Sequence, residues 1–156
     1  MTSVGAPYTL RVPASSANLG PGFDALGVAL NVFLECEFSQ APALSIRVTG
    51  RDAHLIPPTA ENLIWQTALS VAARAHKPLP AIQLSIHNEI PLGKGLGSSA
   101  AALTAGVVIA EKLLDLRWPQ SRILDEAARI EGHPDNVAAC VLGSIVASAV
   151  APEITA

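Results

Sequence analysis

Aromatic residues make up only 4% of this 156-residue sequence, so its core must be built from Ala, Val, Leu and Ile, side chains that let elements approach closely. Charge is scarce as well: 15% of residues are charged against 50% hydrophobic, a balance that excludes a disordered chain. The apolar positions are scattered among turn formers, and no run reaches the roughly 18 residues of a membrane span. Residues 1–10 lack the charged start and apolar stretch of a secretory signal. A soluble cytoplasmic protein without a membrane partner is therefore expected. A net charge of −3 gives no basic footprint, so no nucleic-acid partner is expected either. Two cysteines, Cys36 and Cys140, lie too far apart in sequence to suggest metal spacing, and buried free thiols are expected in preference to a disulfide.

The length suits one domain. Residues 8–13 alternate and are β-prone, and residues 14–24, dense in turn formers, read as a shaped loop. Strands are expected over 28–39 and 44–50, joined in hairpin fashion through Gln40-Ala41-Pro42. Helical periodicity runs over 60–76, with Thr59 offered as its N-cap. Ile82, Leu84 and Ile86 alternate with polar residues as in a half-exposed strand. Helices follow over 98–115, over 121–130 and up to Leu142, and residues 144–150 read as a strand. This order fits α+β. A final strand normally wants a continuing partner, so the chain is expected to be part of a longer protein. An exposed strand and open cleft would favour a homodimer.

The most informative segment is Pro91-Leu92-Gly93-Lys94-Gly95-Leu96-Gly97-Ser98-Ser99-Ala100-Ala101. Three alternating glycines let the backbone turn its amides toward a ligand. The helix that follows contributes free N–H groups and a partial positive charge. Together they form an anion site suited to a di- or triphosphate, and two serines can offer hydroxyls to phosphate or magnesium. The Walker spelling is excluded because Lys94 lies between glycines. The dinucleotide fingerprint is excluded because the spacing is Gly-x-Gly-x-Gly.

Residues 91–101 match every fixed position of Pro-x-x-x-Gly-Leu-Gly-Ser-Ser-Ala-Ala, the phosphate motif of the GHMP kinase superfamily, which the chain resembles. Val12-Pro13-Ala14-Ser15-Ser16-Ala17-Asn18-Leu19-Gly20-Pro21-Gly22-Phe23-Asp24 is similar to the amino-terminal signature of homoserine kinases. Glu131-Gly132-His133-Pro134-Asp135-Asn136-Val137-Ala138 resembles their third segment. The resemblance covers essentially all of the chain. It implies a GHMP kinase amino-terminal, ATP-binding domain over 1–156, with a ribosomal-protein-like fold and a left-handed βαβ crossover. A carboxy-terminal α+β domain, present in family members, is absent from the sequence. The implied reaction is transfer of the ATP γ-phosphoryl group to the side-chain hydroxyl of L-homoserine, with Mg2+, on the way to threonine.

Roles follow from the same resemblance. The backbone of 93–99 would hold the phosphates, and Ser99 and Glu131 the magnesium ion. Asn62 would contact the adenosine end, or serve as a first-turn cap. Asn18 and Asp24 would face the substrate ammonium, whose charge suits an amide oxygen and a carboxylate, although both residues also serve ordinary turns. His133, Asp135 and Asn136 would line the cleft near the accepting hydroxyl. Asp135 and Asn136 would position substrate, with base catalysis left open. The alternatives are a kinase for another small alcohol and a non-catalytic nucleotide-binding fragment.

Overall fold

The computed structural model describes residues 6–20 and 25–149. It is α+β, built on a mixed sheet of β1 (Tyr8–Ala17), β2 (Leu26–Gln40), β3 (Ser45–Gly50), β4 (Ile82–Asn88) and β5 (Ile145–Ala147). The strand order is β1-β2-β4-β3, with β5 beside β2. β2, at 15 residues, is the spine. It pairs with β1 along one edge, and along the other with β5 at its start and β4 at its end. Leu34, Cys36 and Phe38 are buried while Glu35 and Glu37 are exposed, the period of two that packs one sheet face and wets the other.

β1 runs further than its sequence suggests. Pro13 falls at a break in register: it pairs with Phe33, but Ala14 pairs with Leu30, so Asn31 and Val32 are extra residues on β2. A bulge tolerates proline's missing N–H. The Phe33 amide beside the break bonds the Glu89 carboxylate at 3.0 Å. Past it, Ala14 and Ser15 are fully buried against β2, so the expected loop over 14–24 begins only at Asn18.

The expected hairpin between β2 and β3 is also corrected. The two strands run in opposite directions, but β4 lies between them, antiparallel to β2 and parallel to β3. Ile82, Leu84 and Ile86 are at most 2% exposed, and burial that deep belongs to an inner strand. β3, whose residues are exposed or only partly buried, takes the edge. The parallel β3/β4 pair then needs a crossover, which α1 (Leu63–Arg74) supplies.

Three further helices follow: α2 (Ser98–Leu113), α3 (Gln120–Glu131) and α4 (Pro134–Leu142). No helix among the described residues is long and apolar enough to cross a membrane. α1 is capped by Asn62, not Thr59: Asn62 Oδ1 accepts from Ile64 N–H at 3.0 Å, and its Nδ2 donates to Pro57 O at 2.8 Å. α2 is buried on almost every side, which its Ala-rich sequence permits. At Gly106 it meets α1 so closely that a Cβ would stand 2.5 Å from Thr67 Cβ and 2.6 Å from Ile64 O. α3 is tied to α1 through Glu126, whose side chain is 2% exposed. Arg129 lies 2.7 Å from that carboxylate, Arg74 3.0 Å and Arg122 3.9 Å.

Two outcomes follow. Gly106→Ala gains helix propensity but collides with backbone, so it should destabilise by about 1–3 kcal/mol in denaturant unfolding; a stabilised variant would contradict the close approach. Burial pushes the Glu126 carboxyl up, but the hydrogen bond from Arg129 and the charges of Arg129, Arg74 and Arg122 outweigh it and hold the pKa below its ordinary value. Its contribution is therefore complete above the unfolded-state pKa and lost as pH falls through the lower folded value. Glu126→Gln should cost about 1–3 kcal/mol at pH 7, with the difference from the parent shrinking in acid.

Candidate functional site

β4 delivers the chain into the glycine turn, and two side chains fix the approach. Asn88 Nδ2 donates to Arg51 O at 2.8 Å and Ile90 O at 2.9 Å. Asp52 Oδ2 accepts from Leu92 N–H at 3.0 Å. Neither belongs to a recognisable spacing, and sequence reasoning missed both. Gly93, Gly95 and Gly97 then adopt φ of 66°, 69° and 66°, the left-handed region that favours glycine. Lys94 is exposed between the first two.

Gly97 is the N-cap position of α2, and no side chain caps the helix. The first helical bond runs from Ala101 N–H to Gly97 O at 2.9 Å. The amides of Ser98, Ser99 and Ala100 precede that ladder and are its free donors. The turn and helix start thus have the form of an anion cradle. Beside it lies a cavity of about 260 Å³, mainly apolar, lined by Leu55, Pro57, Asn62, Leu63, Ser98 and Ser99 among others. Leu55 and Leu63 are 60% and 44% exposed, apolar surface at the start of α1 and the turn before it. A larger hollow of about 510 Å³ lies on the wet face of the sheet between Arg11, Glu37, Arg47 and His87. It is lined by strand residues only, and no glycine turn or helix start opens onto it.

α3 ends at Glu131 and α4 starts at Pro134, and the end of α3 meets the start of α2. Ser99 Oγ donates to Glu131 Oε2 at 3.3 Å, which brings together the two residues expected to hold a metal. His133 occupies the N-cap position of α4, exposed and without a side-chain cap bond. Asp135 is 4% exposed, and its Oδ1 accepts from Asn136 N–H at 2.7 Å. Asn136 Oδ1 accepts from Ser15 Oγ at 2.8 Å. Asn18, exposed at φ 68°, donates its N–H to Leu26 O at 2.9 Å. Asp24 lies outside the described residues. Asn62, at 1% exposure, has its amide engaged by the chain itself, so it shapes the cavity wall as a helix cap and offers little surface to a ligand.

Both cysteines are buried and free, as expected. Burial pushes the Cys36 thiol up to about 12. Burial likewise raises Cys140 to about 11, opposed by the Ser15 hydrogen bond and assisted by the negative charge of Glu131. Native alkylation of both thiols at pH 8 should be slower than in the unfolded chain by about a hundredfold or more. Modification of either at the unfolded rate would contradict this burial.

A family model for the GHMP kinases N terminal domain matches residues 62–144. The homoserine kinase of Solibacter usitatus is 67% identical over 150 residues, 96% of this chain and 49% of that protein. The homoserine kinase of Moorella thermoacetica is 44% identical over 140 residues, 90% of this chain and 47% of that protein. The crystal structure of homoserine kinase from Cytophaga hutchinsonii superposes with a TM-score of 0.76 at 30% identity, covering 94% of this chain and 50% of that one. The chain thus spans about half the length of the relatives it matches.

Proposed function

This chain belongs to the GHMP kinases, whose amino-terminal domain it carries, and from that premise we propose that it is the nucleotide-binding part of an ATP-dependent kinase for L-homoserine. The homoserine acceptor is drawn from its similarity to homoserine kinases. The observation that carries the nucleotide part is the meeting of Ser99 and Glu131 at the mouth of the glycine turn. Three free amides there attract a polyphosphate, and the adjoining apolar cavity suits a nucleoside.

The donor set fits a magnesium ion. A phosphate seated on the amides would lie near the Glu131 carboxylate, and two anions so placed need a cation between them. A hydroxyl and a carboxylate are hard oxygen ligands of the kind Mg2+ takes when phosphates and waters complete its sphere. No cluster of three or more His, Cys, Asp or Glu among the described residues could hold it without them. Bound there, the ion would offset negative charge on the transferring phosphoryl group. The chain's own part is positioning. The turn holds the phosphates, Asn136 addresses the accepting hydroxyl, and Asn18 and Asp24 take the ammonium. Asp135, buried at the start of α4, positions the substrate together with Asn136. His133, exposed at the same helix start, borders the substrate.

Calorimetry on the folded chain should show Mg-ATP binding, weakened about tenfold or more by Ser99→Ala and by Glu131→Gln, the worth of one contact to a charged group. Folded protein that takes up no Mg-ATP, or variants that bind it unchanged, would sink the nucleotide assignment. ADP release that rises on adding L-homoserine, and not on adding other small alcohols, would support the acceptor.

A further inference from the structure

We propose that Ser15 is a positioning residue, whose hydroxyl locks the Asn136 carboxamide so that this side chain meets the substrate only as a hydrogen-bond donor. The proposal rests on the kinase reading above. Ser15 is fully buried in β1, and its Oγ donates to Asn136 Oδ1 at 2.8 Å. Behind it, Cys140 Sγ stands 3.3 Å from Pro13 O and 3.6 Å from Ser15 Oγ; its single S–H serves one of these oxygens, and the Ser15 proton goes to the amide oxygen.

The pair is held by its neighbours on the inner side. Ser15 Oγ occupies the space that a Cβ on Gly97 would need, and Asn136 Oδ1 lies 3.2 Å from that point. Ser15 N–H donates to Leu96 O at 3.1 Å, tying β1 to the glycine turn. The backbone beneath Asn136 is held as well: its N–H bonds Asp135 Oδ1, and the Asp135 carbonyl abuts Gly27, where any side chain would intrude. Asn136 remains partly exposed. With Oδ1 turned inward, it offers the cleft Nδ2, which carries donors and no acceptor. Such a group can hold the oxygen of an alcohol or of a phosphate, and it cannot take the alcohol's proton. With Oδ1 held by Ser15, Asn136 addresses the cleft through Nδ2 alone.

Two readouts on the folded chain test this: the Asn136 side-chain NH2 pair by 15N NMR, and homoserine-dependent ADP release with Mg-ATP. Ser15→Ala should shift and broaden the NH2 pair and slow transfer about tenfold at saturating substrates, while Mg-ATP affinity stays within about twofold. Ser15→Thr, which keeps the hydroxyl, should restore both. Asn136→Asp keeps the acceptor for Ser15 but replaces the donor with an anion, and should lose transfer more severely than Ser15→Ala. An NH2 pair unmoved by Ser15→Ala, or Mg-ATP affinity falling in step with transfer, overturns the proposal. So does an Asn136→Asp chain that transfers as well as the parent. Failure of the unaltered chain to bind Mg-ATP refutes the kinase reading instead, and the NH2 signals then decide the lock by themselves.

Discussion

The site depends on the absence of a side chain at Gly97. β1, the glycine turn and α4 converge there closely enough that the Ser15 hydroxyl fills the space a Cβ would take. Two costs would follow any substitution. A left-handed φ disfavours a non-glycine residue by about 1–2 kcal/mol. Displacing the buried Ser15 hydroxyl would strand a polar group, at about 1–3 kcal/mol. The second is the more consequential, because it releases Asn136. The bulge at Pro13 serves the same convergence: the register break there precedes the buried stretch that carries Ser15 into the seam.

Electrostatics then decide what the cradle can hold. Free amides at a helix start favour an anion by about 0.3–1 kcal/mol at an exposed surface. Two unit charges about 4 Å apart repel by about 4 kcal/mol at an effective dielectric of 20. A phosphate brought to the start of α2 beside Glu131 would therefore lose more than the helix end returns, unless a cation lies between them. The Glu131 carboxylate rests on the neutral Ser99 hydroxyl, which leaves the amides of the helix start clear.

Much of this was legible in the sequence, and the failures share a cause. The glycine turn, the helix after it and the alternating β4 declare themselves within a dozen residues, because glycine placement and periodicity are local signals. Ser99 and Glu131 were found through their motifs and lie together in the structure. What escaped was set by how the chain folds back on itself. Thr59 has the chemistry of a cap, but Asn62 reaches both Ile64 N–H and Pro57 O, and only the folded turn over 57–62 shows which wins. β2 and β3 look like hairpin strands until the deeper burial of β4 claims the place between them. Ser15 reads as one more turn former in a loop, and its 121-residue separation from Asn136 hides the bond that gives it a role.

The scarcity of large side chains links these features to the cavity. An aromatic-poor core lets α2 be covered on nearly every side, and the Gly106 contact draws α1 against it at backbone distance. The first residues of both helices, Asn62 to Ile64 and Ser98 to Ser99, consequently line the same 260 Å³ space. Bulkier residues along the α1–α2 contact would hold the helices apart, because over-packed cores relax by shifting backbone and by leaving preferred rotamers. The space between the two helix starts would then widen. The composition that seemed only to limit the core is thus what sets the width of the slot beside the glycine turn.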